Sequence, residues 1–172
     1  MPFHNIAMEY YEEYIMTGGL PEAVLANVNK ESGLKIRMIH EKELSTYKEQ
    51  LLCLDNLIDI VKANEILNIL PYQLLKPNKK FQYGLMKSGG RSKEYQNSVD
   101  FLSNNGIVNK CYKISEAKPP LSKCKDDESF KLYLNDTGLL FMMMHLSKMK
   151  FLNDVFMKSI SSRLPRALTY SS

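Results

Sequence analysis

The 172-residue sequence lacks the short motifs that most often announce a reaction. No GxxxxGKS/T run occurs, and Gly89-Gly90, followed by Arg91, has no strand-loop-helix context. The chain therefore cannot hydrolyse a nucleotide by a P-loop mechanism on its own. Cys53, Cys111 and Cys124 are widely spaced and form no CxxC pair, which removes the usual start of a zinc or redox site and leaves reduced structural thiols. His4, His40 and His145 make no HxxxH or HExxH arrangement, so no metal site is expected. No apolar run approaches the roughly 20 residues that cross a bilayer. The longest is Leu139 to Met144. The opening MPFHNIAMEYYEEY carries acids where a signal peptide needs a basic and then an apolar region. The expectation is a soluble, cytoplasmic chain with no membrane partner, and with no catalytic residues that can be named.

What is present is an ordinary globular composition, 44% hydrophobic and 24% charged, in a length that suits one medium domain or two small ones. The net charge of +4 conceals an asymmetry. Residues 1–75 hold 6 Lys+Arg against 11 Asp+Glu, residues 76–131 hold 12 against 6, and residues 132–172 hold 5 against 2. Lys76, Lys79, Lys80, Lys87, Arg91 and Lys93 follow one another with no acid between them. Such a run suits a phosphate backbone, because cations that replace condensed counterions release them. An ordinary solvated face carries such runs as well.

Helical periodicity covers the first part of the chain. Ile6 to Met16 reads as an amphipathic helix stopped at Thr17-Gly18-Gly19, and Pro21 starts a second helix that runs to about Asn29. A third spans about Leu34 to Leu54, with Leu44, Tyr47, Leu51 and Leu54 on one face. Ile58 to Leu70 stays helical, with a joint expected at Asn64 and an end at Pro71. Further on, Ser92 reads as the N-cap of a helix whose inward stripe is Tyr95, Val99 and Leu102, closed at Asn104-Asn105-Gly106. Two strands follow, Ile107 to Ile114 and Phe130 to Leu134, separated by a polar wing over 115–129. Asp136 then caps a short helix, and methionines 142 to 144 read as core. The fold expected is mainly α with a small β-hairpin, ordered as a winged helix in its second part, an arrangement whose third helix can enter a DNA groove or serve as a protein-docking surface.

Four stretches together, YIMTGGLPEAV at 14–24, LPYQLLKPNKKFQYG at 70–84, RSKEYQNSVDFLSNNGIV at 91–108 and FKLYLNDTGLLFMM at 130–143, resemble the prokaryotic AAA-type ATPases whose C-terminal half is the domain of unknown function 4143. The resemblance implies a truncated chain with a helical lid subdomain over 1–55, a winged-helix-like domain over 56–136 and a remnant of a nuclease-like domain over 137–172. ATP and magnesium belong to the intact family, and no cofactor is implied on this chain alone. Gly19 and Pro21 match a lid motif that would touch adenine in an intact parent, although a helix stop followed by a helix start explains the same residues. In the winged part, Lys79, Lys80 and Arg91 would meet DNA phosphates, Gln96 and Asn97 could read bases, and Lys93 could do either. The implied function is a non-catalytic fragment acting as an interaction or DNA-binding module, not an enzyme by itself. The alternative is one subunit of a split ATP-dependent enzyme, completed by a second polypeptide as partner. Either way, Leu139, Leu140, Phe141 and the neighbouring methionines are expected to lie exposed for want of the domain that would cover them.

Overall fold

Two glycines separate the first pair of helices. In the computed structural model, which describes residues 2–86, 91–116 and 118–145, helix α1 spans Pro2–Thr17, starting earlier than its periodicity suggests. Gly18 adopts φ +73°, and its N–H donates to the Tyr14 carbonyl at 2.7 Å, closing the helix in a conformation that favours glycine. Helix α2 (Pro21–Val28) opens on Pro21, where the missing N–H leaves no helical bond unmade. Helix α3 (Gly33–Gln50) begins where the Ser32 hydroxyl accepts from the Lys35 N–H at 3.3 Å. Ala23, Ala26 and Ile39 bury a small cluster between α2 and α3, with Leu20 and Ile36 against it.

Helix α4 (Leu57–Leu75) corrects the sequence reading, because it runs unbroken through both Asn64 and Pro71. Asn64 turns its side-chain amide back to the Ile60 carbonyl at 3.2 Å, so it finds a partner inside the helix. An interior proline costs about 3 kcal/mol through its lost bond and ring clash. That cost is offset here because Ile66, Leu67 and Leu70 are completely buried. The last turn is also pinned from outside. The Gln82 N–H donates to Gln73 Oε1 at 2.9 Å, and Gln73 Nε2 donates to the Gln82 carbonyl at 3.3 Å.

Helix α5 (Ser92–Asn104) buries Tyr95, Val99 and Leu102 as its stripe predicts, and Gly106 follows at φ +69°. Its cap differs from expectation. Arg91 holds the N-cap position with no side-chain bond, and Ser92 is already helical. Strands β1 (Val108–Ile114) and β2 (Lys125–Leu134) pair antiparallel from Val108↔Leu134 to Tyr112↔Phe130. The register then jumps to Lys113↔Asp126, a bulge that carries β2 five residues further back than Phe130. The charged start of β2, Lys125-Asp126-Asp127, has no apolar alternation to betray a strand, so the wing is shorter than expected. Ahead of α5, the Phe81 N–H donates to the Phe130 carbonyl at 2.8 Å, tying that segment to β2. Helix α4, this single backbone tie, helix α5 and the two strands thus follow one another along the chain. Helix α6 (Thr137–Met143) ends the described chain.

The principal core joins Tyr47 at the end of α3 and Leu51 beyond it to α4, α5 and the sheet, and it includes Leu139 and Met142 of α6. This overturns the expectation of an uncovered C-terminal patch. Leu139 is fully buried, and Leu140, Met143 and Met144 pack against the core. Exposed large apolar side chains are found elsewhere, on the first three helices (Phe3, Tyr10, Val28, Leu34 and Met38 among them) and also at Leu52, Leu57, Ile58 and Tyr72. The chain is mainly helical with a small antiparallel sheet, and no described helix is long and apolar enough to cross a membrane. Most of the segment read as a remnant, residues 146–172, lies outside the described residues, as does Lys87.

Candidate functional site

Two motifs far apart in the sequence meet at one carboxylate. Asp136, buried at the start of α6, accepts from the Leu139 N–H at 2.7 Å through Oδ1 and from the Gly19 N–H at 2.6 Å through Oδ2. The first bond caps α6, and the second fastens the α1–α2 turn to it. Room for this contact exists only because Gly18 has no side chain, since a Cβ there would strike the Asp136 carboxylate. Gly138 is matched in the same way, as an added Cβ would lie 2.6 Å from the Thr17 carbonyl oxygen and 2.7 Å from His40 Nε2. His40 is buried on α3, and its Nε2–H donates to the Thr17 carbonyl at 3.1 Å, with Asp136 Oδ1 at 3.7 Å. Burial lowers the imidazole pKa below 6.5 against the raising effects of Asp136 and the Thr17 carbonyl, so the ring is neutral near pH 7. The group is a polar joint among α1, α3 and α6.

Above the joint lies a cleft of about 670 Å³ between α1, α3 and α6. Its lining includes Met16, Ile36, Phe141 and Met142, with Glu9 and Glu13 on the α1 wall and Arg37 on the α3 wall. Glu13 accepts from Asn27 Nδ2 at 2.7 Å, and Arg37 is bonded to Glu41 at 2.8 Å. Among the described residues no cluster of His, Cys, Asp and Glu could hold a metal ion.

The residues expected to bind nucleic acid do not form one surface. Gln96 Nε2 donates to Asp100 at 2.8 Å and Asn97 Nδ2 to Asp59 at 3.3 Å, so both expected base readers face carboxylates of their own fold. Burial raises the Asp100 carboxyl pKa, but bonds from Lys110 and Gln96 outweigh it and hold it below the usual range. Arg91 and Lys93 are exposed at the start of α5, close to Glu94 in the sequence. Lys80 instead lines a separate groove of about 320 Å³ between the loop after α4 and the hairpin, beside Asn78 and Ser129. Half-buried Lys79 precedes it in that loop. Sequence reading missed the other charged members of this groove, Lys113 and Lys131, which project from β1 and β2. The only signal available was their odd-even placement on strands, and the register bulge beside Lys113 obscured it.

The fold and site define a mainly helical chain with a small antiparallel sheet, a buried carboxylate joint and a lysine-lined groove. Residues 8–150 match the family described as Domain of unknown function (DUF8612), and the chain belongs to that family. No curated protein and no solved structure matches it. This assignment overturns the resemblance to AAA-type ATPases with the domain of unknown function 4143. The fold accounts for the misleading motifs, because TGGLP and NDTGLL are the two faces of the joint, where close packing demands Gly18 and Gly138 and the Gly19 N–H supplies a bond to Asp136. With the resemblance go the grounds for an ATP or magnesium requirement and for an adenine contact at Gly19 and Pro21. Gly19 is a hydrogen-bond donor to Asp136, and Pro21 begins a helix.

Proposed function

We propose that this chain is a non-catalytic module that binds duplex DNA through its phosphate backbone, using the groove between the loop after α4 and the hairpin rather than the outer face of α5. One observation carries the reading. Among the described residues the charged side chains lining the groove, Lys80, Lys113 and Lys131, are all cationic, and none of them forms an ion pair. Three ammonium groups around one concavity, only Lys113 facing an acidic residue (Asp126) across the strand pair, raise the local anion concentration, and lysine addresses phosphate as a point charge without reading sequence. Asn78 and Ser129 add groups able to hydrogen-bond a phosphate oxygen. The surplus of 12 Lys+Arg over 6 Asp+Glu across residues 76–131 supports long-range steering to the same region. On the polar face of α5, by contrast, Lys93 is followed directly by Glu94, Gln96 is bonded to Asp100, and Asn97 is bonded to Asp59 of α4.

The cytoplasm is the proposed setting, which suits three free cysteines. Affinity should be weak, with Kd about 1–100 μM at physiological salt, and insensitive to sequence. Titration of a labelled duplex into wild type, Lys80→Glu/Lys113→Glu/Lys131→Glu and Lys93→Ala/Gln96→Ala tests the assignment. Groove reversal should weaken binding by at least about tenfold, with the α5 pair within about twofold of wild type. The opposite pattern would return the contact to α5. No binding at low salt by a chain with intact circular dichroism would end the nucleic-acid reading.

A further inference from the structure

The cleft over the polar joint combines two features that the nucleic-acid reading leaves unused. Its floor is built of flexible and aromatic apolar groups, Met16, Ile36, Phe141 and Met142. Its α1 wall carries Glu9 and Glu13, four residues apart and so on one face of the helix. Helix α1 contains three glutamates and neither lysine nor arginine, so no cation on its own element neutralises this row. On the facing wall Arg37 is held by Glu41. Beside the acid row, at helical spacing, Phe3, Ile6, Tyr10 and Tyr14 form an exposed apolar stripe, with Phe3 84% and Tyr10 68% accessible. An apolar trough, an adjoining apolar stripe and a row of carboxylates on one wall therefore make a continuous amphipathic surface of negative sign.

We propose that this cleft docks a basic amphipathic helix from a partner protein, with the partner's apolar stripe in the methionine-lined floor and its Lys or Arg side chains against Glu9 and Glu13. The complementarity is specific in sign. The chain as a whole is +4, so a cationic peptide is repelled on average and gains attraction only at a locally acidic site. Methionine adapts its shape to varied apolar partners, and a helix laid in a groove presents anchors at i, i+3 or i+4 and i+7. Acid on one wall and a paired arginine on the other also fix how the incoming helix is turned, because its cationic edge must face α1.

The test uses the full chain and a labelled synthetic peptide of about 18 residues, with leucines at that spacing and lysines elsewhere. Two control peptides are needed, one of the same composition with the periodicity scrambled and one with glutamate in place of lysine. Micromolar binding of the amphipathic cationic peptide is expected, at least about tenfold tighter than either control. Glu9→Lys/Glu13→Lys, made at exposed positions so that the fold persists, should weaken it by about tenfold or more. Chemical-shift changes or crosslinks should fall on α1, α3 and α6. Equal binding of the scrambled peptide, indifference to the double charge reversal, or contacts confined to the hairpin would each overturn the proposal. These results are independent of DNA titration, since Glu9 and Glu13 lie outside the lysine groove.

Discussion

Replacing Asp136 should be among the most damaging single changes on a polar side chain in this molecule. The carboxylate is 7% exposed and accepts two backbone N–H bonds, at 2.6 Å from Gly19 and 2.7 Å from Leu139. Hydrogen bonds to a charged group contribute about 1.5–3 kcal/mol each. Water can partly satisfy the Gly19 amide when the carboxylate is gone, because that glycine is exposed, so the sum is discounted and Asp136→Ala should cost about 3–4 kcal/mol. Asp136→Asn keeps one acceptor oxygen but aims an NH2 group at one of the two donors, and should cost about 1–2 kcal/mol. The assay is urea unfolding followed by circular dichroism, with hydrogen exchange read at the Gly19 and Leu139 amides. Both amides should lose protection together in Asp136→Ala, although they lie on opposite ends of the joint. An Asp136→Ala midpoint equivalent to less than about 0.5 kcal/mol of destabilisation would refute the joint as described.

Other perturbations of the same region have definite signs. Gly138→Ala must displace the Thr17 backbone and the His40 ring, and should cost about 1–3 kcal/mol by overpacking, measured by the same unfolding curves. His40 is held neutral by burial, with its folded pKa below the 6.5 of an exposed imidazole, so the unfolded chain takes up the proton first as pH falls. Stability should therefore drop below about pH 6.5, and His40→Gln should flatten that part of the profile of melting temperature against pH. Tyr95 is fully buried and its hydroxyl donates to Glu65 at 2.9 Å, so Tyr95→Phe should cost about 1 kcal/mol and Tyr95→Ala about 3–5 kcal/mol in denaturant unfolding. The phenol of Tyr47, pushed up to about 12 by burial and then by Glu43, should remain un-ionised in an ultraviolet titration until well after exposed tyrosines have titrated.

Local chemistry was the legible part of this sequence. The stop at Gly18, the start at Pro21, the Asp136 cap and the Tyr95-Val99-Leu102 stripe each depend on residues within a turn or two of one another, and each is found where the sequence puts it. Pro71 misled because its penalty is local while the compensation, burial of Leu67 and Leu70 and the grip of Gln82 on Gln73, is tertiary. The start of β2 was hidden because a charged segment shows no apolar alternation even when its backbone is paired. The joint itself was out of reach, for it brings together Gly19 and Asp136 across 117 residues and looks in sequence like two separate motifs. That is also why a family resemblance built on those motifs went astray. Of the lysine groove, only Lys80 came from the contiguous basic run, and Lys113 and Lys131 join it solely through the strand register.

The central claim, that phosphate meets the lysine groove, is tested most directly by the salt dependence of duplex binding. Log Kobs should fall linearly with log salt concentration, and neutralising the groove as Lys80→Gln/Lys113→Gln/Lys131→Gln should reduce the magnitude of that slope by about 2–3, near 0.9 for each lysine that no longer displaces a counterion. An unchanged slope in a folded triple variant would show that these lysines do not contact phosphate, and would contradict the account.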